Sequence, residues 1–215
     1  MTLKRIDLSL YLVLDPDLCG SEEGMVRTAR LAAESGATAV QLRAPGRKKR
    51  QWLAVARDLK AALAPLGVPL IINDQIDVAL IVEADGVHVG QEDLPAADVR
   101  ALIGPDMILG LSVTNFVELA DVPAGVDYLG IGPVYPTGSK PDAAPATGVE
   151  AFAAMVAAAR LPVVAIGGIH SGNCAPLFAA GAKGVAVISA ICGQADPARA
   201  TRDLRGKVEE CLSSC

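Results

Sequence analysis

The side chains best able to do chemistry are hard oxygen donors, amides and a few cations, and each stands just past a short apolar run. Asn73 and Asp74 follow Leu70-Ile71-Ile72, and Asp93 closes the turn Gly90-Gln91-Glu92-Asp93 beyond Gly86–Val89. Two carboxylates and an amide, with no His or Cys cluster beside them, suit Mg²⁺, which takes a few carboxylates and completes its shell with water and phosphate oxygens. Aspartate after a strand is also a common helix N-cap, so Asp74 and Asp93 each keep capping as the alternative. Gln41 and Arg43 stand two apart in Ala39-Val40-Gln41-Leu42-Arg43 and share a face if the run is a strand. Arg43 would there meet an anion; the alternative is an ion pair at a strand end. Ser112 follows Ile108–Leu111. Thr137, Gly138, Ser139 and Lys140 lie in the Pro- and Gly-rich segment of about 133–147, where hydroxyls and a cation reach a second anion unless the lysine is simply solvated. Gly167-Gly168 and Ile188-Ser189 match a phosphate cradle of backbone N–H groups, against the alternative of a tight turn that needs glycine. His88 and His170 are expected to be hydrogen-bonded structural residues, and Trp52 a packing residue.

These residues must be brought together by the elements between them. Eight apolar runs, near Leu10–Leu14, Ala39–Leu42, Leu70–Ile72, Gly86–Val89, Ile108–Leu111, Tyr128–Ile131, Val163–Ile166 and Val185–Ile188, alternate with helix-compatible segments. That is the pattern of buried parallel strands with crossover helices. The turns entering the even runs resemble one another: Ser35-Gly36-Ala37, Glu83-Ala84-Asp85, Ala124-Gly125-Val126 and Ala180-Gly181-Ala182. An open doubly wound sheet would share the local pattern, but Leu14-Asp15-Pro16 lacks the glycine-rich turn of a dinucleotide fold. The expectation is a single-domain (β/α)₈ TIM barrel over residues 1–215, in which the C-terminal strand ends gather the reactive residues at one mouth.

Composition narrows the partners. Nineteen Lys and Arg against 24 Asp and Glu, with 3% aromatic residues, argue against nucleic acid and leave small-molecule substrates. No basic-then-apolar leader and no membrane-length apolar run is visible, so the expected compartment is the cytoplasm. The five cysteines (Cys19, Cys174, Cys192, Cys211, Cys215) are scattered and read as reduced thiols without close pairs. A homodimer is compatible with exterior helix faces that look alike whether wet or paired.

Taken together the motifs are recognisable. Val40-Gln41-Leu42-Arg43, Ile71-Ile72-Asn73-Asp74, the run Ala84-Asp85-Gly86-Val87-His88-Val89-Gly90-Gln91-Glu92-Asp93, Tyr128-Leu129-Gly130-Ile131-Gly132-Pro133-Val134 and Val187-Ile188-Ser189-Ala190-Ile191 occur in order. Over nearly its whole length the chain resembles the thiamine phosphate synthase family. The resemblance implies a transferase that joins a hydroxymethylpyrimidine diphosphate to a thiazole phosphate and releases pyrophosphate, with Mg²⁺ as cofactor. It implies Asp74 and Asp93 as metal ligands, and Gln41, Arg43, Asn73 and Lys140 around the pyrimidine diphosphate. It places Ser112 on the pyrimidine side, Thr137, Gly138 and Ser139 on the thiazole phosphate, and Gly167, Gly168, Ile188 and Ser189 around its phosphate. Arg43, Lys140 and Ser112 would be the catalytic set. Two positions depart from the family pattern: Pro45 stands where a lysine is usual, and Ser139 where threonine is. Arg47 or Lys48 is the expected substitute for that lysine. A sibling thiazole tautomerase and a non-catalytic phosphate-binding protein are the competing readings; Asp93, and the absence of histidine in Ser112-Val113-Thr114, favour the synthase.

Overall fold

The computed structural model describes residues 6–139 and 145–214. Eight parallel strands, β1 (Leu10–Val13), β2 (Ala39–Leu42), β3 (Leu70–Asn73), β4 (Gly86–Val89), β5 (Ile108–Val113), β6 (Tyr128–Ile131), β7 (Val163–Ile166) and β8 (Gly184–Val187), pair in chain order. β8 returns to β1, with Leu10 opposite Val185, and closes the barrel. The helices are α1 (Pro16–Cys19), α2 (Glu22–Glu34), α3 (Lys49–Leu63), α4 (Ile76–Ile81), α5 (Ala96–Ile103), α6 (Phe116–Ala120), α7 (Gly148–Ala158), α8 (Ala175–Ala179) and α9 (Pro197–Ser213). No helix among the described residues is long and apolar enough to cross a membrane.

The strands carry unbroken apolar runs because both of their faces are buried. Leu10, Leu12 and Leu14 pack outward under the helices, whereas Tyr11 and Val13 point inward, where they meet Ile71, Ile108, Tyr128, Val164 and Ala186. The helices answer with amphipathic faces: α3 buries Trp52, Val55, Ala56, Leu59 and Leu63 at helical spacing. Each large apolar side chain sealed there stabilises the fold by about 1.5–3 kcal/mol. Trp52 is 4% exposed and packs as expected.

The base of the barrel repeats a clamp every two strands. Thr38 Oγ1 accepts from the Leu10 N–H at 3.0 Å, Asp85 Oδ2 from Leu70 at 2.9 Å and Asp127 Oδ2 from Leu109 at 2.8 Å. In each clamp the residue's own N–H returns to the same partner's carbonyl, and Lys183 repeats that backbone half onto Val163. Lys60 and Arg100 pair with Asp85 and Asp127 at 2.9 and 2.7 Å. The turns leading in are left-handed at Gly36, Gly125 and Gly181, with φ of 111, 93 and 97°. Glu83 holds the same role at φ 50° without being glycine.

Four boundaries differ from the sequence expectation: β1 stops one residue earlier at Val13, β3 runs one residue further to Asn73, and β5 and β8 shift as follows. β5 continues past Leu111 because Ser112 and Val113 still pair with Gly130 and Ile131, so Ser112 lies inside a strand. β8 is shifted one residue earlier, with Gly184 paired to Val164, which leaves Ile188 beyond the strand end.

Candidate active site

The C-terminal strand ends assemble the site. Asn73 ends β3 opposite His88 on β4, and the Asp74 N–H donates to the His88 carbonyl at 2.9 Å. Asp74 is therefore anchored to the neighbouring strand, and its backbone is left-handed at φ 50°. Its carboxylate accepts from the Asn73 amide at 2.8 Å and from the Gln75 amide. The capping alternative fails: α4 has Gln75 at its N-cap and no side-chain cap bond. Burial raises the Asp74 pKa, the Gln75 hydrogen bond opposes that, and the charge of Asp93 pushes it further up. Asp93, in the loop after β4, is therefore close enough for the two carboxylates to repel. Its Oδ2 accepts from the Gly90 N–H at 2.7 Å, which closes the turn, and α5 begins after Pro95 rather than at Asp93.

The Mg²⁺ expectation can be tested on this geometry. A partly buried carboxylate, Asp74, raised by the charge of the exposed Asp93 and flanked by an amide, forms with it an all-oxygen donor set that a hard divalent cation would relieve. The residues fit such an ion. Lys49 also lowers the Asp74 pKa by its charge, while its ammonium pairs with Asp77 at 2.7 Å. The basic run after Pro45 is thus deployed differently from the expectation. Arg47 turns to Asp17 at 3.0 Å and Lys48 occupies the N-cap of α3, so of this run Lys49, paired with Asp77, is the cation whose charge reaches Asp74.

Inside the barrel a polar ladder runs beneath the mouth. Gln41 Nε2 donates to the Tyr11 hydroxyl at 2.8 Å, Tyr11 meets the Tyr128 hydroxyl at 3.0 Å, Tyr128 meets His88 Nδ1 at 2.9 Å, and His88 Nε2 meets Ser112 Oγ at 2.9 Å. Gln41 points into the barrel, and β5 carries Gly110 opposite the Tyr128 and His88 rings, where a Cβ would collide with both. Burial raises both tyrosine pKa values, so both stay protonated. The proton order that also uses the Tyr11 hydrogen within the ladder runs from Gln41 to Tyr11, Tyr11 to Tyr128, Tyr128 to Nδ1, and Nε2–H to Ser112. The Ser112 hydroxyl hydrogen is then left to donate outward. Gln91 Nε2 also holds the Ser112 carbonyl at 2.7 Å. His88 is hydrogen-bonded as expected, and His170 accepts from the Gly172 N–H at 3.1 Å in an exposed turn.

Arg43 is 15% exposed in its side chain and lies 3.9 Å from Asp15 Oδ2, a loose pair rather than a surface bridge. Asp15 is committed elsewhere as the N-cap of α1, where it accepts from the Asp17 and Leu18 N–H groups. Gly167 and Gly168 are left-handed at φ 101 and 64°. Their missing side chains also admit the loop after β6: a Cβ on Gly168 would stand 2.5 Å from the Pro136 carbonyl oxygen. Tyr135 N–H bonds the Gly167 carbonyl at 3.1 Å, and the Asn173 amide bonds the Gly168 carbonyl at 2.9 Å, which locks the two loops together. Thr137 Oγ1 accepts from the Ser139 N–H at 3.2 Å in the same loop, and Lys140 lies outside the described residues. Ile188 and Ser189 follow β8, and the Ser189 carbonyl is held by Gln194 at 2.8 Å. Sequence reasoning missed Tyr11, Tyr128, Gln91, Asp15 and Lys49. The available signals were the two tyrosines inside otherwise aliphatic runs and Asp15 directly before a helix-starting proline. A groove of about 800 Å³, lined among others by Thr38, Asp85, Asp106 and Met107, opens at the opposite end of the barrel and takes no part in this arrangement.

A closed parallel barrel whose strand ends bring together paired aspartates, an arginine and a glycine-lined turn is an enzyme scaffold of the phosphate-handling kind. The family model described as thiamine monophosphate synthase matches residues 10–191. A thiamine-phosphate synthase of Laribacter hongkongensis is 56% identical over 94% of this chain and 95% of that protein, and one of Xanthobacter autotrophicus is 52% identical over 95% and 97%. The solved thiamine phosphate pyrophosphorylase of Pyrococcus furiosus superposes with a TM-score of 0.86 at 36% identity, covering 96% of this chain and 98% of that one. The chain belongs to the thiamine monophosphate synthase family, and it is an enzyme of the transferase class.

Proposed function

We propose that this chain joins a hydroxymethylpyrimidine diphosphate to a thiazole phosphate, giving thiamine monophosphate and pyrophosphate. The observation that carries the reading is the pair Asp74 and Asp93, which follow adjacent strands at the mouth, the charge of Asp93 raising the pKa of Asp74. On this reading the two aspartates hold Mg²⁺, which when bound neutralises the diphosphate leaving group. Arg43, Gln41, Asn73 and Lys140 grip the pyrimidine diphosphate, and the outward hydroxyl hydrogen of Ser112 orients the pyrimidine. Thr137, Gly138 and Ser139 receive the thiazole phosphate, whose phosphate lies against Gly167, Gly168, Ile188 and Ser189.

Departure of pyrophosphate leaves a cation on the pyrimidine methylene, stabilised by the electron-rich ring, and the thiazole nitrogen attacks it. That nitrogen has no proton to lose, so a general base is unnecessary. The chain's task is positioning and charge neutralisation, which agrees with a site offering cations, amides and a hydroxyl rather than a nucleophile–base pair. A homodimer belongs to the reading as well, supported by the exposed apolar side chains Ile81, Leu102, Phe116 and Val117 on α4, α5 and α6.

The test is a two-substrate assay with and without Mg²⁺, following thiamine phosphate after oxidation to its fluorescent product. Product should form only with the metal. Asp93→Asn should lower turnover by about a hundredfold or more while far-UV circular dichroism stays unchanged. Binding of both substrates without product would instead favour a non-catalytic phosphate-binding protein, and near-normal turnover of the variant would remove the metal assignment.

A further inference from the structure

Cysteines that are dispersed in the sequence become neighbours in space. Cys19 ends α1 on the β1 side of the mouth, and Cys192 follows the Ile188-Ser189 turn after β8. The Cys192 thiol lies close enough to the Cys19 sulfur for the two to influence each other's titration. Packing independently brings the two segments together: a Cβ placed on Gly193, next to Cys192, would lie 3.5 Å from the carbonyl oxygen and 3.6 Å from the Cβ of Leu18, next to Cys19. The Cys192 thiol donates to the Val13 carbonyl at 3.7 Å, which fixes it on the β1 side of the seam.

The two thiols are unequal. Cys192 is buried, whereas Cys19 is half-buried and reachable from solvent. The neighbouring Cys192 thiol brings the Cys19 pKa down to about 7; burial opposes this, and the Thr28 hydroxyl and the Asp15 N–H assist. The charge of Asp15 acts the other way. The same contact and burial drive the Cys192 pKa up. A reachable thiolate beside a protonated, buried thiol is the arrangement of an attacking and a resolving cysteine. A second pair supplies an internal contrast. Cys174 and Cys211 also meet, but burial pushes the Cys174 thiol up to about 11, so it stays protonated and inert.

We propose that Cys19 and Cys192 form a peroxide-oxidisable dithiol whose disulfide ties the β1 loop to the β8 loop across the closing seam of the barrel. The Cys19 thiolate attacks one peroxide oxygen and the O–O bond breaks; the sulfur becomes a sulfenic acid, and the departing hydroxide takes up a proton as water. Cys192 then gives up its proton and attacks the Cys19 sulfur, the S–O bond breaks and a second water leaves. Two thiols are oxidised to one disulfide while one peroxide is reduced to two waters. The bridge joins loops of functional consequence: Asp15, which faces Arg43, lies on one side, and the Cys192 N–H holds the Ile188 carbonyl at 2.8 Å on the other.

The test treats the full chain with a small excess of hydrogen peroxide at pH 7.5, blocks remaining thiols by alkylation and maps the digest by mass spectrometry. The expected product is a Cys19–Cys192 cross-linked peptide pair, lighter by two hydrogens than the reduced peptides and released by dithiothreitol, with Cys174 and Cys211 recovered alkylated. In Cys192→Ala the cross-link should vanish, and Cys19 should be trapped by dimedone as sulfenic acid. Recovery of Cys19 as the free thiol, or its oxidation without linkage to Cys192, overturns the proposal, and this reading on the unsubstituted chain holds whether or not the variant folds. A reversible rise in KM for the phosphate substrates on oxidation rests on the proposed function; the cross-link does not, so the two fail separately.

Discussion

Replacing Tyr128 by Phe deletes one oxygen from the middle of the buried ladder and leaves the ring that fills the barrel in place. That hydroxyl meets the Tyr11 hydroxyl at 3.0 Å and His88 Nδ1 at 2.9 Å, in surroundings where Tyr11 is 1% and Tyr128 0% exposed. Water cannot readily replace it there. Losing a hydrogen-bond partner at a buried polar group costs about 1–3 kcal/mol. Two such losses amount to roughly 2–6 kcal/mol, and at about 2–4 °C per kcal/mol for a chain of this size the thermal midpoint should fall by roughly 4–24 °C. The ladder also fixes the His88 tautomer that presents Nε2–H to Ser112, so kcat/KM should fall along with stability. Thermal unfolding by circular dichroism, paired with steady-state kinetics on the same preparation, measures both. A midpoint within about one degree of the parent, with unchanged kinetics, would refute the claim that these five side chains act as one connected unit.

Gly168→Ala places a methyl 2.5 Å from the Pro136 carbonyl oxygen and 2.9 Å from the Tyr135 Cβ on a left-handed backbone. We expect about 2–4 kcal/mol of destabilisation and a raised KM for the thiazole phosphate, with the pyrimidine diphosphate less affected; a parent-like melting curve and KM would contradict this. Glu83→Gly removes the strain of a left-handed non-glycine residue, worth about 1–2 kcal/mol, against roughly 0.5–1 kcal/mol of added unfolded-state entropy. The balance is a small stabilisation, readable as a higher urea midpoint, and a lowered midpoint would show that Glu83 contributes more than its backbone geometry suggests.

The architecture could be read from the chain because a parallel barrel strand is buried on both faces and so appears as an unbroken apolar run; the expected runs fall within a residue or two of the strands. Ends were less legible, since they depend on the neighbour: Ser112 stays in β5 only because Ile131 on β6 still faces Val113. Asp74 and Asp93 could be found from their positions after strands, but the left-handed backbone of Asp74 and its amide partners had no local signature. The ladder was invisible for a topological reason. Tyr11 and Tyr128 meet across the barrel interior from opposite halves of the chain, and a lone tyrosine in an aliphatic run does not reveal which face it occupies. Cys19 and Cys192 escaped notice in the same way, because their contact exists only once β8 has returned to β1. The basic run after Pro45 shows the limit of proximity in sequence: the nearer Arg47 is drawn to Asp17, and it is the charge of Lys49, paired with Asp77, that reaches Asp74.

The clamps at the base join each odd strand to the one that follows it, so Thr38, Asp85 and Asp127 close rings of 28, 15 and 18 residues. Short rings sacrifice little chain freedom, and contacts so near in sequence can form early. A nascent chain could therefore complete its strand pairs one after another as they emerge. The junction between first and last strands, where Leu10 meets Val185, has to await the final segment. That junction is the one place where a cross-link would turn a ring held by weak forces into one closed covalently.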